Sequence, residues 1–129
     1  MKQEIINKLI VTADKARSHA YAPYSNFQVG AAVLTDNNTI ITGVNVESGS
    51  FGLTCCAERV ALFNAVSQGY KKFKALAVVT NDGSTPCGAC RQVIYELCGN
   101  IPIIIAKAPE SYYIQHMEEL LPNAFKPHL

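Results

Sequence analysis

The chain has 129 residues, 49% of them hydrophobic, which suffices for one domain with a real core and leaves no room for two comfortable ones. Ten acidic against eleven basic side chains leave a net charge of +1, so no whole-molecule field draws in a nucleic acid or an anionic membrane. No apolar run approaches the roughly eighteen residues of a membrane span, and the first twenty residues alternate charge with apolar positions, which points to a soluble, cytoplasmic protein.

Over residues 2–20, Ile5, Ile6, Leu9, Ile10, Ala13 and Ala16 recur at helical intervals opposite Lys2, Glu4, Asn7, Lys8, Thr12, Asp14 and Lys15. That spacing predicts an amphipathic packing helix. Pro23 then breaks the pattern, because it lacks a backbone donor and holds the residue before it extended. Residues 27–34 read as a buried strand, 35–38 as a turn and 39–46 as the returning strand of a hairpin. Gly30 inside the first strand marks something packed close to the backbone. Residues 47–51, with Ser48, Gly49 and Ser50, read as a polar loop.

A helix is predicted from Thr54 or Cys55 to Gln68, carried by Ala57, Val60, Ala61, Phe63, Ala65 and Val66 and stopped by Gly69. The one dense basic run, Lys71, Lys72 and Lys74, reads as a solvated turn, since phosphate tracking needs several such contacts along a groove. Residues 74–80 form a continuous apolar run suited to a strand covered on both faces, and 81–86 are a loop by residue type. A second helix spans 87–98 with Gly99 as its stop, followed by a buried strand at 101–106, a short fifth strand at 112–116 and a helical turn at 117–121. Strands separated by helices imply crossovers over both faces of a sheet. The expected fold is therefore α/β, a three-layer α/β/α sandwich with a mixed sheet of about five strands, in a single domain over residues 1–129.

The five cysteines, Cys55, Cys56, Cys87, Cys90 and Cys98, are an odd number, and without a secretory signal they favour metal or redox chemistry over a disulfide framework. Cys87-Gly88-Ala89-Cys90 opens one predicted helix, with both side chains on one face about 5–6 Å apart. Cys56-Ala57-Glu58-Arg59 opens the other. Three thiolates can hold a zinc ion with a fourth position left for water, which is the form of a catalytic site. Both helix starts expose unpaired N–H groups that favour thiolate over thiol.

Glu58 lies two residues past Cys56, about 200° round a regular helix. If Cys56 falls in the cap region instead, both side chains reach one cavity, and a carboxylate beside the water can do general acid/base work. Arg59 and Arg91 each neighbour the cluster and could offset its net negative charge by donating to sulfur. Spacing alone leaves three alternatives: a redox dithiol at Cys87 and Cys90, a structural zinc site closed by Cys55 or Cys98, and inert core cysteines. Cys55 and Cys98 taken singly read as core residues, and His19, His116 and His128 are not spaced like ligands.

These same residues resemble a known family. Cys56-Ala57-Glu58-Arg59 followed by Pro86-Cys87-Gly88-Ala89-Cys90-Arg91-Gln92-Val93 is similar to the small homotetrameric cytidine deaminases of pyrimidine salvage. Tyr21-Ala22-Pro23-Tyr24-Ser25, Phe27-Gln28-Val29-Gly30-Ala31-Ala32, Gly43-Val44-Asn45-Val46-Glu47 and Glu119-Leu120-Leu121-Pro122 with Phe125 also look like family segments in family order, so the likeness covers nearly the whole chain.

The resemblance implies one zinc ion per chain on Cys56, Cys87 and Cys90, and a proton carried by Glu58 during hydrolysis at carbon 4 of cytosine, with loss of ammonia. It also implies that Phe27 packs on the base, that the backbone at Ala57 meets its amide edge, and that Asn45 and Glu47 hold the ribose hydroxyls. Gly49, Phe51 and Phe125 would reach a neighbouring subunit's site. The chain departs from many relatives at Ser48-Gly49, where Asn-Ala is common, and at Phe51, where tyrosine is common. The substrates implied are cytidine and 2′-deoxycytidine. The alternatives are a modified cytosine nucleoside of the blasticidin S type and a noncatalytic zinc-stabilised module. A nucleic-acid editing role fits worse, because no basic stripe with interleaved aromatics is present.

Overall fold

The computed structural model describes residues 1–127; His128, whose spacing above does not suit a ligand, lies outside the described residues. The order of elements is α1 (Gln3–Arg17), β1 (Gly30–Thr35), β2 (Ile40–Val44), a 3-10 turn at Phe51–Leu53, α2 (Ala57–Ser67), β3 (Phe73–Val79), α3 (Gly88–Cys98), β4 (Pro102–Ala108), β5 (Ser111–His116) and α4 (Met117–Leu120). The five strands form one sheet in the order β2-β1-β3-β4-β5, in which β3 and β4 are parallel and every other pair is antiparallel. The α3 crossover makes that parallel pair possible.

Alternation along the central strands separates two cores. Ala32, Leu34, Ala75, Ala77, Val79, Ile104 and Ala106 meet Ile6, Leu9, Ile10 and Ala13 of α1 on one face. Ala31, Val33, Leu76, Val78, Ile103 and Ile105 meet Ala57, Ala61, Leu62 and Ala65 of α2 and Cys90 and Ile94 of α3 on the other. This is the expected three-layer sandwich, and a fully buried leucine or isoleucine in either core contributes about 1.5–3 kcal/mol.

Two glycines let the layers approach. A Cβ on Gly30 would lie 2.0 Å from the Ala13 carbonyl oxygen, and one on Gly43 would lie 2.2 Å from the Ala61 nitrogen. Gly43 therefore sets how closely α2, which carries half of the site, sits on β2.

The element ends differ from the sequence expectation in ways that matter. Residues 27–29 do not join the ladder, because the Asn45 side chain takes their backbone groups: Nδ2 donates to Phe27 O at 2.8 Å and Oδ1 accepts from Val29 N at 2.8 Å. Beyond β2, Val46 makes isolated bridges to Tyr21 and to Cys55. That second bridge keeps Cys55 extended, so α2 starts at Ala57 and not at Thr54 or Cys55. The loop read at 47–51 runs into the 3-10 turn, and α1 stops at Arg17, three residues early.

Candidate active site

Cys56 and Cys87 are the N-cap residues of α2 and α3, each extended, with ψ of 154° and 168°, and neither caps with its side chain. Their sulfurs stand 3.9 Å apart, Cys87 and Cys90 are 3.5 Å apart, and all three ligand atoms fall within 4.8 Å of one another. A tetrahedral zinc ion with Zn–S bonds of about 2.3 Å needs sulfurs about 3.8 Å apart. The donor set thus fits one zinc ion in spacing and in softness, and among the described residues no fourth cysteine joins the cluster.

Because Cys56 sits at the cap and not inside the helix, the helical rule that would turn Glu58 away does not apply. Glu58 is 4% exposed and lines the same cavity as Cys56 and Cys87. That burial pushes its carboxyl up to about 7, the range suited to giving and taking protons near neutral pH. Hydrogen bonds, foremost from Cys90, hold the Cys56 thiol down at about 5 against the opposing effect of burial, while Cys90 is pushed up. Arg59 Nη2 donates to Cys56 Sγ at 3.4 Å and is held as a cation chiefly by that sulfur.

Arg91 corrects the sequence reading. Its donors go to Pro86 O at 2.8 Å, Leu120 O at 2.8 Å and Thr85 Oγ1 at 3.0 Å, and none goes to sulfur. Cys98, raised to about 12 by burial, and Cys55, also raised by burial, stand outside the cluster.

The cavity has a volume of about 440 Å³. Its lining combines Cys56, Cys87 and Glu58 with the apolar side chains of Phe27, Val29, Ala57 and Val78 and the polar ones of Ser25, Asn45 and Glu47. The Glu47 carboxylate accepts from the backbone of Tyr24 at 2.9 Å and of Ser25 at 3.1 Å and from the Ser25 hydroxyl, contacts that lower its pKa, with the hydroxyl first. Asn45 keeps one N–H and one lone pair beyond its two backbone bonds.

The residues expected to face a neighbouring subunit lie outside this cavity: Phe51 is 75% exposed, edge-on to Tyr24 at 6.0 Å, and Phe125 is 69% exposed. Gly49 packs against Tyr24, whose hydroxyl oxygen lies 2.9 Å from where a Cβ would be.

Sequence reasoning did not single out Thr80. Its buried hydroxyl accepts from Gly83 N at 2.8 Å and Ser84 N at 3.0 Å and holds the loop that supplies Ser84 and Thr85 to the cavity. The Thr-Asn-Asp-Gly-Ser run, rich in residues that bond their own backbone, was the available signal.

Known proteins share this arrangement. Residues 3–106 match the family model described as the cytidine and deoxycytidylate deaminase zinc-binding region. A cytidine deaminase of Sporosarcina psychrophila is 48% identical over 123 residues, covering 93% of this chain and 90% of that protein. One of Halalkalibacterium halodurans is 48% identical over 120 residues, covering 91% of each. The crystal structure of cytidine deaminase from Burkholderia pseudomallei superposes with a TM-score of 0.88 at 44% identity, covering 97% of this chain and 100% of that one. The family match runs through both cysteine-bearing helix starts and the likeness extends over almost the full length, so the chain belongs to the cytidine deaminase family and zinc is its cofactor.

Proposed function

We propose that this protein is a zinc-dependent hydrolase that deaminates cytidine and 2′-deoxycytidine to uridine and 2′-deoxyuridine with release of ammonia, in pyrimidine salvage. The observation that carries the reading is one cavity lined by two of the three clustered cysteines, Cys56 and Cys87, by the buried Glu58 and by the Glu47 carboxylate, with no lysine, arginine or histidine among its described lining residues. A phosphate in this cavity would meet the Glu47 carboxylate and no cationic side chain among the described lining residues, which favours a nucleoside over a nucleotide.

In this reading Cys56, Cys87 and Cys90 hold the metal and Arg59 offsets part of their charge. When bound, zinc acidifies a water to the point where it can attack near neutral pH. Glu58 takes the proton released, gives it to the ring nitrogen beside carbon 4, and later carries a proton to the departing amino group. Its burial excludes bulk water from that exchange. Phe27 lies against the base, the backbone at Ala57 meets the amide edge, the Glu47 carboxylate accepts from the sugar hydroxyls, and Asn45 donates to and accepts from them.

We further assign the chain to a single catalytic domain over residues 1–129, assembled as a cytoplasmic homotetramer. Gly49, Phe51 and Phe125 face neighbouring protomers there; their exposure on the isolated chain supports this.

The test measures zinc per chain and follows cytidine absorbance with the native protein and with Glu58→Gln. One zinc per chain, turnover by the native protein and its loss in the variant with zinc retained are expected. Zinc without turnover of any cytosine nucleoside would refute the assignment, and faster turnover of cytidine monophosphate than of cytidine would refute the choice of nucleoside.

A further inference from the structure

Two of the three sulfurs belong to different kinds of backbone. Cys90 rides on α3 and is fully buried, whereas Cys87 is exposed and ends the loop that runs from Thr80. Their separation of 3.5 Å therefore depends on how the loop meets the helix. The near end of that loop is tied down by the Thr80 hydroxyl, through Gly83 and Ser84.

Its far end is tied by Arg91. The side chain leans back toward the start of its helix, as long helical side chains do, and reaches the carbonyl of Pro86 through Nε and the hydroxyl of Thr85 through Nη2. The remaining arm donates to the Leu120 carbonyl at the end of α4, and the Arg91 backbone nitrogen bonds Cys87 O at 2.9 Å. One planar guanidinium thus joins the ligand-bearing loop, its own helix and the C-terminal turn. All three acceptors are uncharged oxygens, so the arrangement is directional and not an ion pair. A lysine has one nitrogen at its tip and cannot span three acceptors in a plane.

We propose that Arg91 is a positioning residue for the reaction. It pins Thr85 and Pro86 against α3 and α4, and so fixes the direction in which the Cys87 sulfur faces Cys90 and the cavity. The inference rests on the deaminase reading for its kinetic arm only, because its metal arm needs no turnover.

Arg91→Lys and Arg91→Met are compared with the native protein by circular dichroism and thermal unfolding, by the rate at which folded, zinc-loaded protein gives up its metal to pyridylazoresorcinol, and by kcat and KM on cytidine. Outer partners of metal ligands change affinity or activity by about ten- to a hundredfold. We expect both variants to release zinc at least about tenfold faster and to lose about tenfold in kcat, with KM changed by less than about twofold. A merely structural arginine would lower the unfolding temperature and leave the release rate per folded molecule unmoved, and that result overturns the proposal. So does full rescue by lysine, which would make charge and not direction the active property. If Arg91→Met does not fold, Arg91→Lys decides alone. If the native protein turns over no cytosine nucleoside, the functional reading fails, and the zinc-release comparison still decides the role of Arg91.

Discussion

Replacing Glu58 by glutamine removes a carboxyl that the fold keeps 4% exposed and at a pKa of about 7, against an ordinary value of 4.5. Below about 4.5 the group is protonated in the folded and unfolded chains alike and has no effect on stability. Between 4.5 and 7 the unfolded chain releases the proton and the folded chain retains it, so stability falls as pH rises, and above 7 the full penalty remains. A difference of about 2.5 pKa units at about 1.36 kcal/mol each puts that penalty at about 3 kcal/mol.

The thiol of Cys56 acts in the opposite sense. Its pKa is lowered to about 5 from 9, so it adds stability as pH rises between those values. Both proteins contain it, so the difference between them reports Glu58 together with its repulsion from the Cys56 thiolate, which acts in the same upward sense as burial. Denaturant titrations of metal-stripped, reduced protein at pH 4.5, 6 and 8 should find Glu58→Gln more stable than the parent by a margin that grows to about 3 kcal/mol at the highest pH. A margin that is flat with pH, or that shrinks as pH rises, would show that the fold does not hold this carboxyl above its ordinary pKa.

Gly43→Ala drives a methyl into the backbone of α2 and should cost about 1–3 kcal/mol in denaturant titrations, with a lower zinc content because the helix bearing Cys56 is displaced. Arg59→Gln withdraws the donor to Cys56 Sγ and should lower kcat more than it lowers zinc per chain; an unchanged rate would dismiss its electrostatic role. Stripping zinc with a chelator should abolish deamination and speed amide exchange in the first turns of both α2 and α3. Activity should return with zinc but not with magnesium, which prefers oxygen ligands.

The architecture was legible where burial imposes a period. Ile6, Leu9, Ile10 and Ala13 announced α1, and the unbroken apolar run through Val78 announced a strand covered on both faces. Gly30 was read correctly as a close approach, here by the Ala13 carbonyl.

What could not be read were competitions between partners distant in sequence. Phe27 to Val29 have strand composition, yet an asparagine side chain 16 to 18 residues away takes their hydrogen bonds. Arg59 and Arg91 looked equivalent beside their cysteines, and only one touches sulfur, because the other finds two carbonyls and a hydroxyl that no local pattern reveals. The direction of Glu58 turned on where α2 begins, which the Val46 to Cys55 bridge decides.

Gly30 at the start of β1 pairs with Val79 at the end of β3, so the segment carrying Phe27 and Val29 and the segment carrying Thr80 leave the sheet side by side. Two neighbouring parts of the cavity lining are thereby rooted in a single rung of the central sheet. Parting them would mean breaking the pairing of β1 with β3 in the middle of the molecule, so this part of the cavity is held by the sheet and not by loops. Exchange with solvent falls to the rims, the 47–54 loop and the 81–87 loop. Loop mobility should therefore govern how quickly molecules come and go, while the sheet governs which ring shapes are admitted.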